Sequence, residues 1–164
     1  MPETIALVPV GVVRTSASDD DIRQRWLEVE SHIEIFPEYA PAIEGIDAFL
    51  HLIVLFLLHR LEVTAHETLP VKPRGLLRHG LRLDDLPTLG VFACDSPVRP
   101  NPIGLSVVQV LGREGTTLIV KGLDAFDGSP VLDLKPYTSD RAIGAVQTPR
   151  WHQALLEKTR APRV

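Results

Sequence analysis

The sequence has only one cysteine, Cys94, and lacks the histidine and cysteine spacings typical of metal sites. A single thiol excludes an internal disulfide and any zinc site built from several thiolates. The longest uninterrupted apolar run, residues 52–58, is far too short to cross a bilayer as a helix. No basic-then-apolar leader opens the chain, so a secretory signal is not expected. We therefore expect a cytoplasmic protein without a metal and without a membrane span.

Glycine-rich phosphate-binding motifs are also absent. Neither Gly-x-Gly-x-x-Gly nor a phosphate-loop pattern occurs, so a Rossmann-type nucleotide site has no support. Of the 164 residues, 45% are hydrophobic and 23% charged, the balance of an ordinary soluble domain. Many short apolar segments separated by glycine and proline predict a mainly β fold, a single-domain β-barrel with a few short helices and a C-terminal helix. We place the barrel domain at residues 1–145 and the C-terminal helix and tail at 146–164.

The individual elements follow from apolar runs and alternating patterns. Strands are predicted at residues 5–14, 32–36, 49–58, 105–111, 116–123 and 131–135. The run at 49–58 is so apolar that we expect both faces of that strand to be buried. Turns are predicted at 112–115 and 127–129, and helices at 37–44 and 149–160. Residues 61–89 have no periodicity and are interpreted as a long surface segment, and 22–27 receive no assignment.

A stiff polar loop between the apolar segments is the most distinctive stretch. Each of its three prolines fixes its own φ and favours an extended conformation in the residue before it. Arg99 and Asn101 are therefore predicted to be held outward with little freedom. We expect Gly104 to adopt a backbone conformation closed to other residues and to let a ligand approach closely. A purely structural turn is the alternative.

The net charge of −4 bears on nucleic-acid binding. Phosphate contacts dominate the affinity of proteins for nucleic acids, so a mildly acidic chain needs a local basic patch. The strongest candidate is the basic segment at 72–82, which contains Lys72, Arg74, Arg78, His79 and Arg82. A solvated basic face with no ligand is the alternative.

Two further places carry candidate functional groups. Asp133 and Lys135 are two residues apart, so in a strand they share one face, either as a solvated ion pair or as functional groups. His59 and Arg60 end the long apolar run, where they either cover the surface or reach a pocket at the strand's edge.

Two stretches resemble the signatures of one family. Residues 96–105, Ser-Pro-Val-Arg-Pro-Asn-Pro-Ile-Gly-Leu, are similar to the Ser-Pro-x-Arg-Pro-Asn-Pro-Ile-Gly-Leu of the TsaA-like proteins, also called YaeB-like or TrmO-type. Residues 124–137 resemble the family's second signature, with Ser129 for threonine and Leu134 for isoleucine. The resemblance extends over roughly residues 9–140. The family includes S-adenosylmethionine-dependent methyltransferases that modify a tRNA adenosine beside the anticodon.

This resemblance implies a mostly β-barrel methyltransferase, usually a homodimer, that holds its cofactor with residues from several separate segments. The residues implied to contact S-adenosylmethionine are Arg25, Trp26, Leu27, His59, Arg60, Asp95, Leu105, Lys121, Gly122, Leu123 and Asp124. Arg99 and Asn101 are our candidates for orienting the methyl acceptor. Asp133 and Lys135 are candidates for proton or charge partners.

The substrate implied is the N6 atom of a modified adenosine next to the tRNA anticodon. Asp95 stands where the family has an arginine, which places an unfavourable charge near a polyanionic substrate. Two alternatives therefore stay open: a smaller acceptor that is not RNA, and a non-catalytic protein that binds the cofactor as a sensor or adaptor.

Overall fold

The structure, a computed structural model, describes residues 5–61 and 69–160. The chain divides into two compact units. The first, called the barrel unit below, takes residues 1–60 and 102–140, and the second unit takes 61–101 and 141–164.

Six antiparallel strands form the barrel unit. In chain order the strands of the described residues are β1 Gly11–Arg14, β2 Glu30–Ile35, β3 His51–Leu57, β4 Pro70–Val71, β5 Leu89–Gly90, β6 Ile103–Glu114, β7 Thr117–Lys121 and β8 Pro130–Pro136. All but β4 and β5 pair in the order β1-β2-β7-β6-β3-β8, and β8 pairs with β1 to close the barrel. The mainly β class predicted from the sequence is confirmed.

Alternating side chains fill the barrel. In β3, Leu52, Val54 and Phe56 are buried in the core, and the residues between them are half-buried on the outer face. The expectation that both faces of this strand are fully buried is therefore wrong, because the outer face is not fully covered. Apolar residues from the five remaining barrel strands complete the interior, among them Val13, Ile33, Val108, Leu118 and Val131. Such a core supplies most of the stability, at about 25 cal/mol per Å² of apolar surface removed from water.

Gly104 has a different role from the one predicted. Among the described residues only glycines have positive φ, and Gly104 is not one of them. A Cβ at this position would lie 3.0 Å from Cδ2 of Phe56 and nearer still to Cε2 and Cζ. Because Phe56 lies opposite Gly104 in the β3–β6 ladder, its ring takes the space that a side chain would fill. The glycine is therefore required by the core, and the special backbone conformation expected of it is absent.

The hairpin turn is also shorter than predicted. β6 continues to Glu114, and the register with β7 shifts between Val110 and Gly112, so a bulge absorbs part of the predicted turn. The left-handed position is Gly115, with φ of 60°, which is closed to most side chains. The turn at 127–129 is confirmed, and Gly128 has φ of 81° there.

The helices are few. α1, Asp19–Arg25, lies in the stretch left partly unassigned, and α2, Arg150–Arg160, confirms the predicted C-terminal helix. The predicted helix at 37–44 is a 3₁₀ helix, Pro37–Ile43, whose interior Pro41 lacks the N–H that a longer helix requires. The predicted first strand is only four residues long, since residues 5–10 are irregular.

The second unit contains the long surface segment and α2. Here β4 pairs with β5, and short 3₁₀ helices occur at Arg74–His79, Leu83–Asp85 and Val91–Ala93. Within residues 5–61 and 69–160, no helix combines the length and apolarity that crossing a bilayer requires. The same part of the chain contains no group of metal-ligating side chains.

A candidate site at one end of the barrel

One end of the barrel collects the segments that the sequence analysis assigned to the cofactor. The pairings Arg14–His32, Glu30–Lys121, Leu57–Ile103 and Phe56–Val131 show that β1, β3 and β7 finish where β2, β6 and β8 start. This place is called the barrel end below. The predicted residues at 25–27, 59–60 and 122–124 lie in connections at the barrel end, and Lys121 is the last residue of β7 beside them, although these segments are far apart in sequence.

The segment 122–126 seals the barrel end. Leu123 and Ala125 point into the core and are buried, whereas Asp124 is exposed. Gly122 N donates to the Val29 carbonyl at 3.1 Å, and Asp124 N donates to Ser106 Oγ at 3.2 Å. Alternate residues of one extended segment therefore serve the core and the surface. Since the Leu123 side chain is fully buried, only the backbone of this predicted residue is available to a ligand.

Two of the predicted cofactor segments touch at Gly122. With φ of 88°, Gly122 adopts a left-handed conformation, and a Cβ there would lie 4.0 Å from the Leu27 carbonyl and from the Trp26 ring. Leu27 is 65% exposed, so its side chain lies on the surface beside this contact. Lys121 pairs with Glu30 in the ladder beside them. The structure thus brings residues 25–27 and 121–124 together.

Arg25 is held in place by α1 itself. Its Nη2 donates to Asp21 Oδ1 at 2.6 Å, and Asp21 also accepts from Ser18, whose hydroxyl caps the helix in return. The hydrogen bond from Arg25, followed by those from Ser18, lowers the pKa of Asp21 to about 2. The same bond raises the pKa of Arg25. Arg25 is therefore a permanently charged group with a defined direction.

A cavity of about 330 Å³ lies beside this pair. Its lining residues are Ser16, Ala17, Asp21, Arg25, Glu28, Val29 and Glu30. Three carboxylates and one guanidinium give the lining a negative balance, which favours a cationic ligand group.

His59 and Arg60 lie at the opposite side of α1, after β3. His59 Nδ1 and Ser129 Oγ are 3.2 Å apart in a hydrogen bond. Arg60 Nη1 donates to both carboxylate oxygens of Asp19, at 2.7 and 2.9 Å, and its Nη2 donates to the Asp127 carbonyl at 2.8 Å. The Asp127 carboxylate in turn accepts from Thr15 N at 3.1 Å. These contacts make both residues part of the barrel end.

Three predicted residues lie instead on the outer wall of the barrel. Leu105 and Asp133 both pair with Leu55, so the three form one row across β6, β3 and β8. Lys135 Nζ is 2.5 Å from Asp133 Oδ2, and both side chains are nearly half exposed. The prediction that Asp133 and Lys135 share a face is confirmed, and they form an ion pair there.

Asp95, Arg99 and Asn101 belong to the second unit. Arg99 is half-buried and its Nη1 donates to the Ser96 carbonyl at 3.4 Å, whereas Asp95 and Asn101 are exposed. The proline loop thus presents one amide and one carboxylate to solvent, with the arginine folded back onto its own loop.

The basic segment of the second unit has partners of its own. Lys72 Nζ donates to the Leu83 carbonyl at 3.0 Å, and Arg82 lies 3.5 Å from Asp85. Arg74 is exposed. The side chains of Arg78 and His79 lie outside the described part of the chain.

Sequence reasoning missed several residues of the barrel end: Ser18, Asp19, Asp21, Phe126 and Ser129. A local signal existed for the first three, since Ser18-x-x-Asp21 is a capping pattern and three acidic residues open the helix. No local signal indicates Phe126 or Ser129, because their partners are about 70 to 100 residues away in sequence.

Comparison with known proteins adds three findings. The model of the family described as tRNA-methyltransferase O N-terminal domain matches residues 22–141. A probable S-adenosyl-L-methionine-binding protein of Methanothermobacter thermautotrophicus is 44% identical over 139 residues, which is 83% of this chain and 92% of the relative. The tRNA (adenine(37)-N6)-methyltransferase of Escherichia coli is 38% identical over 112 residues, which is 66% of this chain and 44% of the enzyme.

The solved structures are similar as well. The crystal structure of TrmO from Pseudomonas aeruginosa aligns with a TM-score of 0.67 and 28% identity, over 88% of this chain and 61% of that one. A second crystal structure of TrmO aligns with a TM-score of 0.66 and 30% identity, over 88% of this chain and 64% of that one. The chain therefore spans less than two thirds of the solved proteins that it matches.

Proposed function

Because the chain belongs to the tRNA-methyltransferase O N-terminal domain family, we propose that it is an S-adenosylmethionine-dependent methyltransferase acting on the N6 atom of a modified adenosine next to the tRNA anticodon. Family membership rests on the match over residues 22–141, which agrees with the two signatures found in the sequence. Relatives named for binding S-adenosyl-L-methionine support the cofactor. The tRNA (adenine(37)-N6)-methyltransferases of Escherichia coli and mouse support the substrate.

The observation that carries the cofactor proposal is the gathering of three distant segments at the barrel end. S-adenosylmethionine carries a sulfonium cation, a purine and an amino-acid group. The lining of the cavity, with Asp21, Glu28 and Glu30 beside Arg25, offers carboxylates for a cation and a guanidinium for a carboxylate. Exposed Leu27 and half-buried Trp26 supply apolar surface, and the backbone of 121–124 supplies hydrogen-bonding groups. When bound, the cofactor supplies the methyl group.

Methyl transfer depends mainly on holding the donor carbon in line with the acceptor and on excluding water. In this proposal Asn101 and Arg99 orient the acceptor. For Arg99 this requires that its guanidinium exchange the weak bond to the Ser96 carbonyl for a bond to substrate. The proline-fixed backbone keeps the cost of that exchange to one side chain.

We further propose a homodimer that works in the cytoplasm, where tRNA is modified and a lone thiol stays reduced. The support is the outer wall of β6, where Ile103, Leu105 and Val107 are 38%, 63% and 41% exposed in one row. The neighbouring Asp133–Lys135 pair gives the same wall both charges. A second copy of the chain suits this wall, because an isologous contact places the same patch of both copies face to face, and a patch with both charges can complement itself.

The test of the proposed function is methylation of tRNA that lacks its native modification, with labelled S-adenosylmethionine. We expect label in tRNA from the wild type, and more from Asp95→Arg, because the change adds two units of positive charge near a polyanion. Replacement of Lys72, Arg74 and Arg82 together by alanine should reduce the rate and its salt dependence. A wild type that binds the cofactor and labels no tRNA would refute the acceptor.

A smaller acceptor is the second candidate function. The observation in its favour is charge: the whole chain carries −4, and two of the described basic side chains at 72–82 already have protein partners. Labelling of small molecules in a tRNA-free extract would support it. A non-catalytic sensor predicts binding with no labelled product in either assay.

A further inference from the structure

Asp19, at the start of α1, makes the strongest link between this helix and the barrel end. Both of its carboxylate oxygens accept from Arg60 Nη1, at 2.7 and 2.9 Å. Arg60 is 41 positions away and follows β3, so the bond joins two separate connections. Arg60 is tied to the third connection by its bond to the Asp127 carbonyl. The Arg60 guanidinium thus joins three connections of the barrel end, those that follow β1, β3 and β7.

Phe126 reinforces this link. The guanidinium carbon of Arg60 lies 5.3 Å from the centre of the Phe126 ring, and that of Arg23 lies 5.1 Å from it. Arg23 belongs to α1 and also pairs with Asp19 and Asp20. Cations within about 6 Å of an aromatic centroid are attracted by the ring. The helix therefore touches the 126–127 connection both through Arg60 and directly.

We propose that Asp19 is a positioning residue, which acts through Arg60 to fix α1 on the barrel end and so sets the place of residues 25–27. This rests on the proposed function, in which those residues contact S-adenosylmethionine. The helix has only seven residues and buries a single side chain, Ile22, so packing alone gives it little attachment. Short helices are marginal in isolation, and a charge-assisted contact from one Arg60 nitrogen to both Asp19 oxygens restricts the motion of α1.

The geometry explains why Asp19 carries this role and its neighbour does not. Asp20 is 81% exposed and pairs with Arg23 inside the same helix. The Asp19 side chain is 39% exposed and joins the helix to Arg60. The two residues are chemically identical and adjacent, and both pair with Arg23, so Asp20 is a matched control.

The experiment compares Asp19→Asn, Asp19→Glu, Asp20→Asn, Arg60→Gln and the double variant Asp19→Asn/Arg60→Gln in the full chain. Hydrogen exchange of the α1 amides and calorimetric affinity for S-adenosylmethionine are measured for each. We expect Asp19→Asn to speed exchange in α1 and weaken cofactor binding, each about fivefold, the upper range for an exposed ion pair. Asp20→Asn should change both by less than twofold. Asp19→Glu should recover part of the loss. The double variant should change exchange by less than the sum of the two single variants, because both of them remove the same Asp19–Arg60 bond.

The results support or refute the positioning role of Asp19. If Asp19→Asn matches Asp20→Asn in exchange and in affinity, the proposal is wrong. If Arg60→Gln weakens binding while Asp19→Asn does not, Arg60 acts on the cofactor directly and Asp19 positions nothing. If the wild type binds no S-adenosylmethionine, the proposed function fails, whereas the exchange data still decide whether Asp19 anchors α1. Equal melting temperatures for the two Asn variants would show that any difference is local to α1.

Discussion

Replacing Gly104 by alanine pushes a methyl group into the ring of Phe56. The new Cβ would stand 3.0 Å from Cδ2 and closer to Cε2 and Cζ, whereas ordinary carbon contacts are about 3.5–4.0 Å. Phe56 is only 2% exposed and is enclosed by the barrel core, so its ring has no free space to enter. Overpacking of a well-filled core costs about 1–3 kcal/mol. We expect Gly104→Ala to be destabilised by that amount.

Thermal unfolding followed by circular dichroism measures this loss. For a chain of this size about 2–4 °C is lost per kcal/mol, so the midpoint should fall by roughly 2–12 °C. Gly112→Ala is the matched control, since it lies in the same strand, has no positive φ and has open space around its Cβ. That variant should be unchanged or slightly more stable. Gly104→Ala/Phe56→Leu should recover part of the loss because the smaller side chain makes room.

A Gly104→Ala variant as stable as Gly112→Ala would refute the packing explanation. If such a variant also bound cofactor more weakly, the glycine would serve a ligand after all. Stability and affinity measured on the same preparation therefore separate the two roles.

Three further predictions follow from the site. The pKa of Asp21 falls from 3.8 to about 2 in the folded chain. The ionised Asp21 carboxylate therefore stabilises α1 fully above pH 3.8, and this stabilisation is lost as the pH falls towards 2. Amide shifts of α1 between pH 5 and 2 should report this loss, and Asp21→Asn should show it at neutral pH. S-adenosylmethionine at about 100 times its dissociation constant should stabilise the fold by roughly 2.7 kcal/mol, and no shift at millimolar cofactor together with silent calorimetry would contradict binding. Arg99→Ala should lose methylation while it keeps its melting temperature and most cofactor affinity; an unfolded variant would show that Arg99 is structural.

Local patterns were enough to predict most of the barrel strands. Alternation indicated β2 and β8, and the Asp127-Gly128 turn was identified because the residue type matched its backbone conformation. The reading of Gly104 failed for a non-local reason, since Phe56 lies 48 positions earlier and nothing near Gly104 shows where that ring sits. The predicted length of β6 was wrong for a similar reason, because a bulge depends on the register of a partner strand.

The candidate site could be predicted in outline. The resemblance supplied residues 25–27, 59–60 and 121–124, and the barrel brings them to one end. It could not supply their mutual contacts: the Asp19–Arg60 bond joins two charged residues that have no periodic relation in sequence. The resemblance also grouped Leu105 with the others, although the strand register puts this residue on the outer wall, in one row with Asp133.

The segment 122–126 has one consequence for the kinetics of the fold. Its Leu123 and Ala125 close the core, while Asp124 between them faces solvent at the barrel end. Unfolding of the barrel requires this segment to leave the core, and a molecule bound to its outer side opposes that movement. A ligand at the barrel end should therefore slow unfolding and leave the refolding rate almost unchanged. Interactions that form after the folding transition state change only the unfolding rate.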